Sequence, residues 1–189
     1  MSDVGADLRR AFAERAEVAD LSPGSIRAVV RGLGGGEGRQ QIAAGNKHLA
    51  GQLNVSVRTV QRWQKEGGEA RDVSRSTPGL RISVRGIIDT HTLRATVQRL
   101  RPAIQAHGVD VGASRVMTLV YNEPRARPRS IGDMHIDGAD DNLMAALDAL
   151  EEGNTAAAGE AFGSAWLHTY GMDVDAEVTD VMGAFALNV

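Results

Sequence analysis

The sequence predicts an α+β protein in which an N-terminal all-helical helix-turn-helix domain precedes a C-terminal α+β domain. Two observations carry this prediction: apolar residues recur at helical spacing before residue 66, and strand-like segments alternate with helical ones after residue 80. We place the first domain at residues 1–70 and the second at residues 80–189. A chain of 189 residues with 42% apolar content can bury a sizeable core.

Two helices and a glycine run are predicted at the start of the chain. Apolar residues at helical spacing indicate a helix over residues 6–20. Ser22-Pro23 is an N-cap followed by proline at the first helical position, so a second helix follows and reaches Leu33. The glycines of residues 34–38 disfavour regular structure, and we interpret them as a flexible linker.

The most specific pattern lies in residues 46–66. Leu49 and Ala50 supply the inner face of a short helix, and the small side chain of Ala50 lets a second helix cross closely. Asn54 stands where the turn requires a left-handed residue. Ser56 is placed to cap the second helix, whose inner face is Val60 and Trp63. These offsets predict a helix-turn-helix.

The outer face of the second helix is basic and polar, as in helices that read base edges in the major groove of DNA. We therefore predict that it binds double-stranded DNA through Ser56, Val57, Arg58, Thr59, Gln61, Arg62 and Lys65. Arg71 and Arg75, in the connector at 67–79, are either phosphate contacts or simply solvated.

The second domain is predicted as alternating strands and helices. The first element is a strand at Leu80–Arg85, which is either a wing or the first strand of this domain. The others are a helix of about 15 residues from Leu93, a strand at 114–121, a basic loop at 122–130, a strand at Met134 and Ile136, helices at Asp141–Leu150 and Thr155–Tyr170, and a closing strand or short helix at 172–189.

Charge is distributed unevenly along the chain. Residues 1–20 carry a net charge of −2, residues 21–129 carry +11, and residues 130–189 carry −12 with no Lys or Arg. A basic block suits a polyanion, whereas an acidic block is repelled by one. The acidic last third is therefore expected to lie away from DNA, with a functional boundary near residue 130. It is either simply a soluble folded segment, or it serves oligomerisation or partner binding.

Catalytic and metal sites are not expected. The chain has no cysteine, which excludes thiolate ligands and nucleophiles, and its five histidines lack metal-site spacing. Asp133, His135 and Asp137 alternate on a predicted strand and are the only candidates for a divalent-ion cluster of a small nuclease. We predict no cofactor, no metal, no membrane span and a cytoplasmic, nucleoid-associated protein.

The order of these segments resembles a known family. Ser25–Leu33, Leu49–Trp63 and Val120-Tyr-Asn-Glu-Pro-Arg-Ala-Arg127 are similar to the telomere-protecting terminal proteins of actinobacterial linear chromosomes and plasmids. The resemblance implies a protein that caps DNA ends and primes their replication through a hydroxyl joined to the terminal 5′ phosphate. It also implies a substrate of DNA polymerase rather than an enzyme, with a telomere-associated protein as a further partner.

A hydroxyl that enters a polymerase site benefits from nearby positive charge, which attracts the incoming phosphates. Tyr121, Thr118 and Ser130 flank the basic loop and meet that requirement, and we favour Tyr121 because its phenol reaches furthest. The alternative is a dimeric sequence-specific transcriptional repressor, or a plasmid or phage copy-control protein. Either function is compatible with a homodimer that places two recognition helices on DNA.

Overall fold

The computed structural model describes residues 3–16, 23–65, 73, 75–120, 127–129, 134–171 and 176–189. It confirms the α+β fold class, because a mostly helical N-terminal region precedes helices mixed with a small antiparallel sheet. The helices are α1 (Val4–Glu14), α2 (Pro23–Gly34), α3 (Arg39–Leu53), α4 (Val57–Trp63), α5 (Pro78–His107), α6 (Asp141–Glu152) and α7 (Thr155–Thr169). The strands are β1 (Val109–Val120), β2 (Arg127–Arg129), β3 (Met134–Ile136) and β4 (Ala176–Asn188). None of the helices in these ranges is long and apolar enough to cross a membrane.

The chain divides into two compact units, and the division falls within α5. The N-terminal unit is residues 18–92, and the C-terminal unit combines residues 93–189 with residues 1–17. The predicted domains are 1–70 and 80–189, so the predicted first domain begins before the N-terminal unit and ends before it. Helix α1 belongs to the C-terminal unit, and the first half of α5 belongs to the N-terminal unit.

One cluster of buried apolar side chains holds the N-terminal unit together. It draws on α2, α3, α4 and α5, and its buried members are Ile26, Val29, Val30, Leu49, Ala50, Leu53, Val60, Trp63, Val73, Val84 and Ile88. Helix α4 has only seven residues, too few to be stable alone, so packing against this cluster stabilises it.

The glycine run is a tight helix crossing rather than the predicted flexible linker. Gly34 ends α2, and Gly35 and Gly36 take positive φ angles of 74° and 148° before α3 begins. A Cβ at Gly34 would lie 1.9 Å from the carbonyl oxygen of Gln41, and one at Gly45 would lie 2.0 Å from that of Val30. Larger residues would therefore push α2 and α3 apart.

The strand predicted at Leu80–Arg85 is wrong, because these residues lie in the first half of α5. The backbone N–H of Arg81 donates to the carbonyl of Thr77 at 3.1 Å, as in a first helical turn. Val84 and Ile88 are buried one turn apart, whereas Ile82, which the strand pattern places on the inner face, is 72% exposed.

Strand β1 is the centre of the sheet in the C-terminal unit. It pairs with β4 from Asp110 opposite Asn188 to Val120 opposite Ala176, and all pairings are antiparallel. β3 pairs with the beginning of β1 and β2 with its end. Because a strand has two edges and β4 follows one of them, β2 and β3 share the other.

The N-terminal helix α1 completes the core of the C-terminal unit. Its buried residues, Leu8 and Phe12 among them, join a cluster formed by α6, α7 and the sheet. The approach to α7 is close, since a Cβ at Gly5 would lie 2.1 Å from the carbonyl oxygen of Thr155. Nearby, the added Cβ of Gly159 would lie 2.6 Å from the backbone nitrogen of Gly5.

Three aromatic rings lie in the core of the C-terminal unit. Phe162 and Trp166 of α7 and Phe185 of β4 contact one another edge to face, with ring centroids 6.1–6.2 Å apart. Tyr170, at the end of the same predicted stripe, is exposed instead. The helix ends at Thr169, so Tyr170 is its C-cap and leaves the core.

Polar contacts connect the second half of α5 to α6. Arg101 donates to Asp148 at 2.6 Å and to Glu151 at 2.8 Å. Nε of Arg94 donates to the carbonyl of Glu151 at 2.6 Å. Arg101, counted in the basic block, thus pairs with carboxylates of the acidic last third, so residues from both sides of position 130 are joined in one unit.

Asp140 caps α6 and holds a charge in a buried position. Its carboxylate accepts from the backbone N–H groups of Asn142 and Leu143, and from Nδ1 of His168 at 2.8 Å. Burial by itself raises the pKa of Asp140, but the hydrogen bond from His168 and those from the backbone outweigh it. The pKa of Asp140 is therefore lowered from its usual value of 3.8.

Candidate nucleic-acid interface

The turn between α3 and α4 has the predicted geometry. Asn54 lies in the left-handed region, with φ 50° and ψ 45°, and is the one non-glycine residue with positive φ in the described ranges. The backbone N–H of Val55 donates to the carbonyl of Ala50 at 3.0 Å. The backbone N–H of Asn54 donates to the carbonyl of Gly51 at 3.3 Å. The two bonds satisfy carbonyls at the end of α3 and turn the chain sharply into α4.

Ser56 caps α4, as predicted. Its Oγ accepts from the backbone N–H of Thr59 at 3.1 Å, and the hydroxyls of Ser56 and Thr59 are 2.8 Å apart. Thr59 is half-buried, unlike the rest of the predicted DNA-binding set on this helix. The two hydroxyls therefore hold the beginning of α4, and the other side chains of the predicted set on this helix are exposed.

Helix α4 has one buried and one exposed face. Val60 is fully buried and Trp63 is 2% exposed, which fixes the inner face. Arg58 and Arg62 are exposed four residues apart on the outer face of α4. Lys65 is exposed just beyond the C-cap Gln64, where its backbone N–H donates to the carbonyl of Arg62 at 3.2 Å, so the three cations form one stripe. Gln61 and Val57 are also exposed.

An open concavity of about 390 Å³ lies along this outer face. It is lined by Ser56, Arg58, Thr59, Gln61, Arg62 and Lys65, which are six of the seven residues predicted for this helix. Arg75 is exposed close to Val73, whose side chain is buried in the core of the N-terminal unit. Arg71 lies outside the described residues.

Charge differs between the two units. Residues 18–92 contain eleven Lys and Arg against six Asp and Glu, a net charge of +5. The remaining residues contain ten Lys and Arg against eighteen Asp and Glu, a net charge of −8. The unit that contains α4 is therefore the one suited to a polyanion.

The candidate primer hydroxyls are only partly described. Thr118 lies in β1, where its Cα pairs with Arg127 of β2 and with Val178 of β4. Tyr121 and Ser130 lie outside the described residues, as does most of the predicted basic loop. Within that loop, Arg127–Arg129 form strand β2.

The candidate ion cluster is not assembled in the described residues. Nδ1 of His135 is 2.7 Å from Oδ1 of Asp110, its register partner on β1. Asp137 accepts from the backbone N–H of Ala139, and Asp133 lies outside the described residues. Within the described part of the chain, no group of three His, Cys, Asp or Glu side chains could hold a metal ion.

Sequence reasoning missed a polar network behind α4. Gln64, the C-cap of α4, donates its side-chain amide to Oδ1 of the buried Asn46 in α3. The backbone carbonyl of Gln64 accepts from Nε of Arg27 in α2. A polar Asn46 on the apolar inner face of α3 was the available signal, but its partner depends on how the helices pack.

Comparison of the chain with models of protein families, with curated proteins and with solved structures finds no match.

Proposed function

We propose that this protein binds double-stranded DNA by placing the outer face of α4 in the major groove. The observation that carries the proposal is the cationic stripe of Arg58, Arg62 and Lys65 along α4 and its C-terminal end, opposite the face that is buried at Val60 and Trp63. Buried apolar residues fix which side of the helix faces outward, so the stripe is a stable feature of the surface.

The dimensions and chemistry of α4 suit this role. A helix with its side chains is about 10–12 Å across, and the major groove is about 12 Å wide. Arginine forms bidentate hydrogen bonds with guanine and glutamine with adenine, which assigns Arg58, Gln61 and Arg62 to base readout. Lys65, at the end of the stripe, suits a phosphate, which it would attract without regard to sequence.

The finer role that we propose is capping of linear DNA ends, with a hydroxyl of the chain as replication primer. This role is supported by the resemblance of Leu49–Trp63 and Val120–Arg127 to terminal proteins, and its partners would be a telomere-associated protein and a DNA polymerase. A homodimer would supply two recognition helices for two half-sites. Transcriptional repression by such a dimer is the competing role, and it uses the same surface.

Substitution on α4 tests DNA binding directly. Arg58→Ala and Arg62→Ala should each weaken binding to a selected duplex by about tenfold or more, the equivalent of roughly 1–3 kcal/mol for a specific contact. Arg9→Ala is the matched control, because Arg9 is an exposed helical arginine in α1 with the same charge. Fluorescence anisotropy at fixed salt measures all three. Undiminished binding in both α4 variants would refute the assignment.

Covalent labelling separates the two finer roles. A capping protein incubated with a polymerase and a radiolabelled deoxynucleotide should become labelled, and Tyr121→Phe, Thr118→Val or Ser130→Ala should abolish the label. A repressor would bind a palindromic duplex tightly and stay unlabelled under the same conditions.

A further inference from the structure

The C-terminal end of α4 is held by directional polar contacts as well as by apolar packing. Gln64 donates its side-chain amide to Asn46 and also to the carbonyl of Val60, at 3.3 Å. Its own carbonyl accepts from Arg27. One residue at the end of α4 is thus bonded to α2 and to α3, and Asn46 is only 3% exposed.

Apolar packing fixes which face of α4 points outward, but it constrains the exact rotation of so short a helix less tightly than a hydrogen bond does. Val60 and Trp63 are the buried contacts of α4, and apolar contact is non-directional. Base readout requires side chains held within about 0.5 Å and 10–20° of the productive geometry. A small rotation of α4 about its axis would move the tips of Arg58 and Arg62 beyond that range, whereas a phosphate contact tolerates it.

Stability alone does not require the pair formed by Asn46 and Gln64. Replacing both partners of a buried hydrogen bond by apolar side chains of similar shape is often nearly neutral for stability. A hydrogen bond differs from apolar contact in that it weakens steeply away from a linear geometry, so it favours one orientation of its partner. The bond from Gln64 to Asn46 is therefore suited to fixing orientation.

We infer that Asn46 is a specificity-determining positioning residue: through Gln64 it sets the rotation of α4 at which the outer face meets base edges. The inference rests on the proposed DNA binding. Asn46 touches no DNA in this scheme, and its effect is on discrimination between sequences rather than on attraction to phosphates.

The experiment uses the full chain and two duplexes. One duplex is enriched by the parent protein from a random-sequence pool, and the other is a scrambled sequence of the same composition. Asn46→Leu removes the acceptor of the hydrogen bond. Gln64→Met removes the donor, and this substitution does not alter the buried position 46. Asn46→Asp keeps an acceptor oxygen for the Gln64 amide and is the rescue variant, used once thermal unfolding shows that the buried carboxylate leaves the chain folded. Binding is measured by fluorescence anisotropy, and folding by thermal unfolding followed by circular dichroism.

In Asn46→Leu and Gln64→Met the ratio of the two affinities should fall by about tenfold. Affinity for the scrambled duplex should stay within about twofold of the parent, because phosphate contacts supply it. Asn46→Asp should keep most of the ratio. If Asn46→Leu does not fold, Gln64→Met decides the question.

Two results would overturn the inference while leaving DNA binding intact: a folded variant with the parent's ratio, or an equal loss on both duplexes. A parent protein that binds neither duplex would instead refute the proposed function, and the inference with it.

Discussion

Gly5→Ala tests whether the first helix of the chain is part of the C-terminal unit. The added Cβ would lie 2.1 Å from the carbonyl oxygen of Thr155 and 3.2 Å from its Cγ2. Close carbon–oxygen contacts in proteins are about 3.3 Å, so α1 has to move away from α7 by roughly 1 Å. That movement loosens the packing of Leu8 and Phe12, each of which is 1% exposed.

The expected loss follows from this geometry. Overpacking by one methyl group costs about 1–3 kcal/mol, and the backbone oxygen cannot move aside as a flexible side chain would, so we expect about 2–4 kcal/mol. In a protein of this size, 1 kcal/mol shifts Tm by about 2–4 °C, which predicts a decrease of roughly 4–16 °C. Gly86→Ala is the control, because a Cβ there meets nothing within 4 Å.

Tryptophan fluorescence assigns the loss to one unit. The chain's two tryptophans lie in different cores, Trp63 in the N-terminal unit and Trp166 in the C-terminal unit. In a Trp63→Phe background, Gly5→Ala should shift the unfolding transition that Trp166 reports. If the shift is seen instead through Trp63, in a Trp166→Phe background, α1 belongs to the N-terminal unit as the sequence predicts.

Two further predictions concern single residues. Asn54→Ala should lower the free energy of unfolding by about 1 kcal/mol, because alanine is disfavoured in the left-handed region, whereas Asn54→Gly should not. Equal urea midpoints for the two variants would contradict this. Because the pKa of Asp140 is lowered, its charge contributes to stability fully above the ordinary value of 3.8 and loses that contribution as the pH falls through the lowered pKa. Asp140→Asn should therefore be less stable than the parent at neutral pH and match it in strong acid. If urea titrations show that the stability difference between Asp140→Asn and the parent does not change with pH, the proposed role of the charge is refuted.

Local sequence signals predicted α4 and its cap because each depends on near neighbours. Asn54 and Ser56 act on backbone groups within five residues of themselves. The beginning of α5 carried an equally local signal, since Thr77-Pro78 repeats the pattern of Ser22-Pro23. The alternation of Leu80, Ile82 and Val84 favoured a strand and obscured this helix signal. Leu80 and Val84 are also one helical turn apart, so the same residues fit a helix as well.

Long-range contacts account for what the sequence did not predict. The apolar stripe of α1 predicts a helix, but the core that it joins depends on α7 and β4, far along the chain. The pairing of His135 with Asp110 likewise follows from strand register. In the same way, the need for glycine at positions 34 and 45 becomes apparent only when α2 and α3 are known to cross closely.

The position of α1 has a consequence for how the chain folds during synthesis. Residues 18–92 are inserted within the other unit, and they are complete long before α7 and β4 exist. At about 5–20 residues per second, the apolar face of α1 waits on the order of ten seconds for its partners. The inserted unit can fold first, whereas the unit that begins the chain is the last to close.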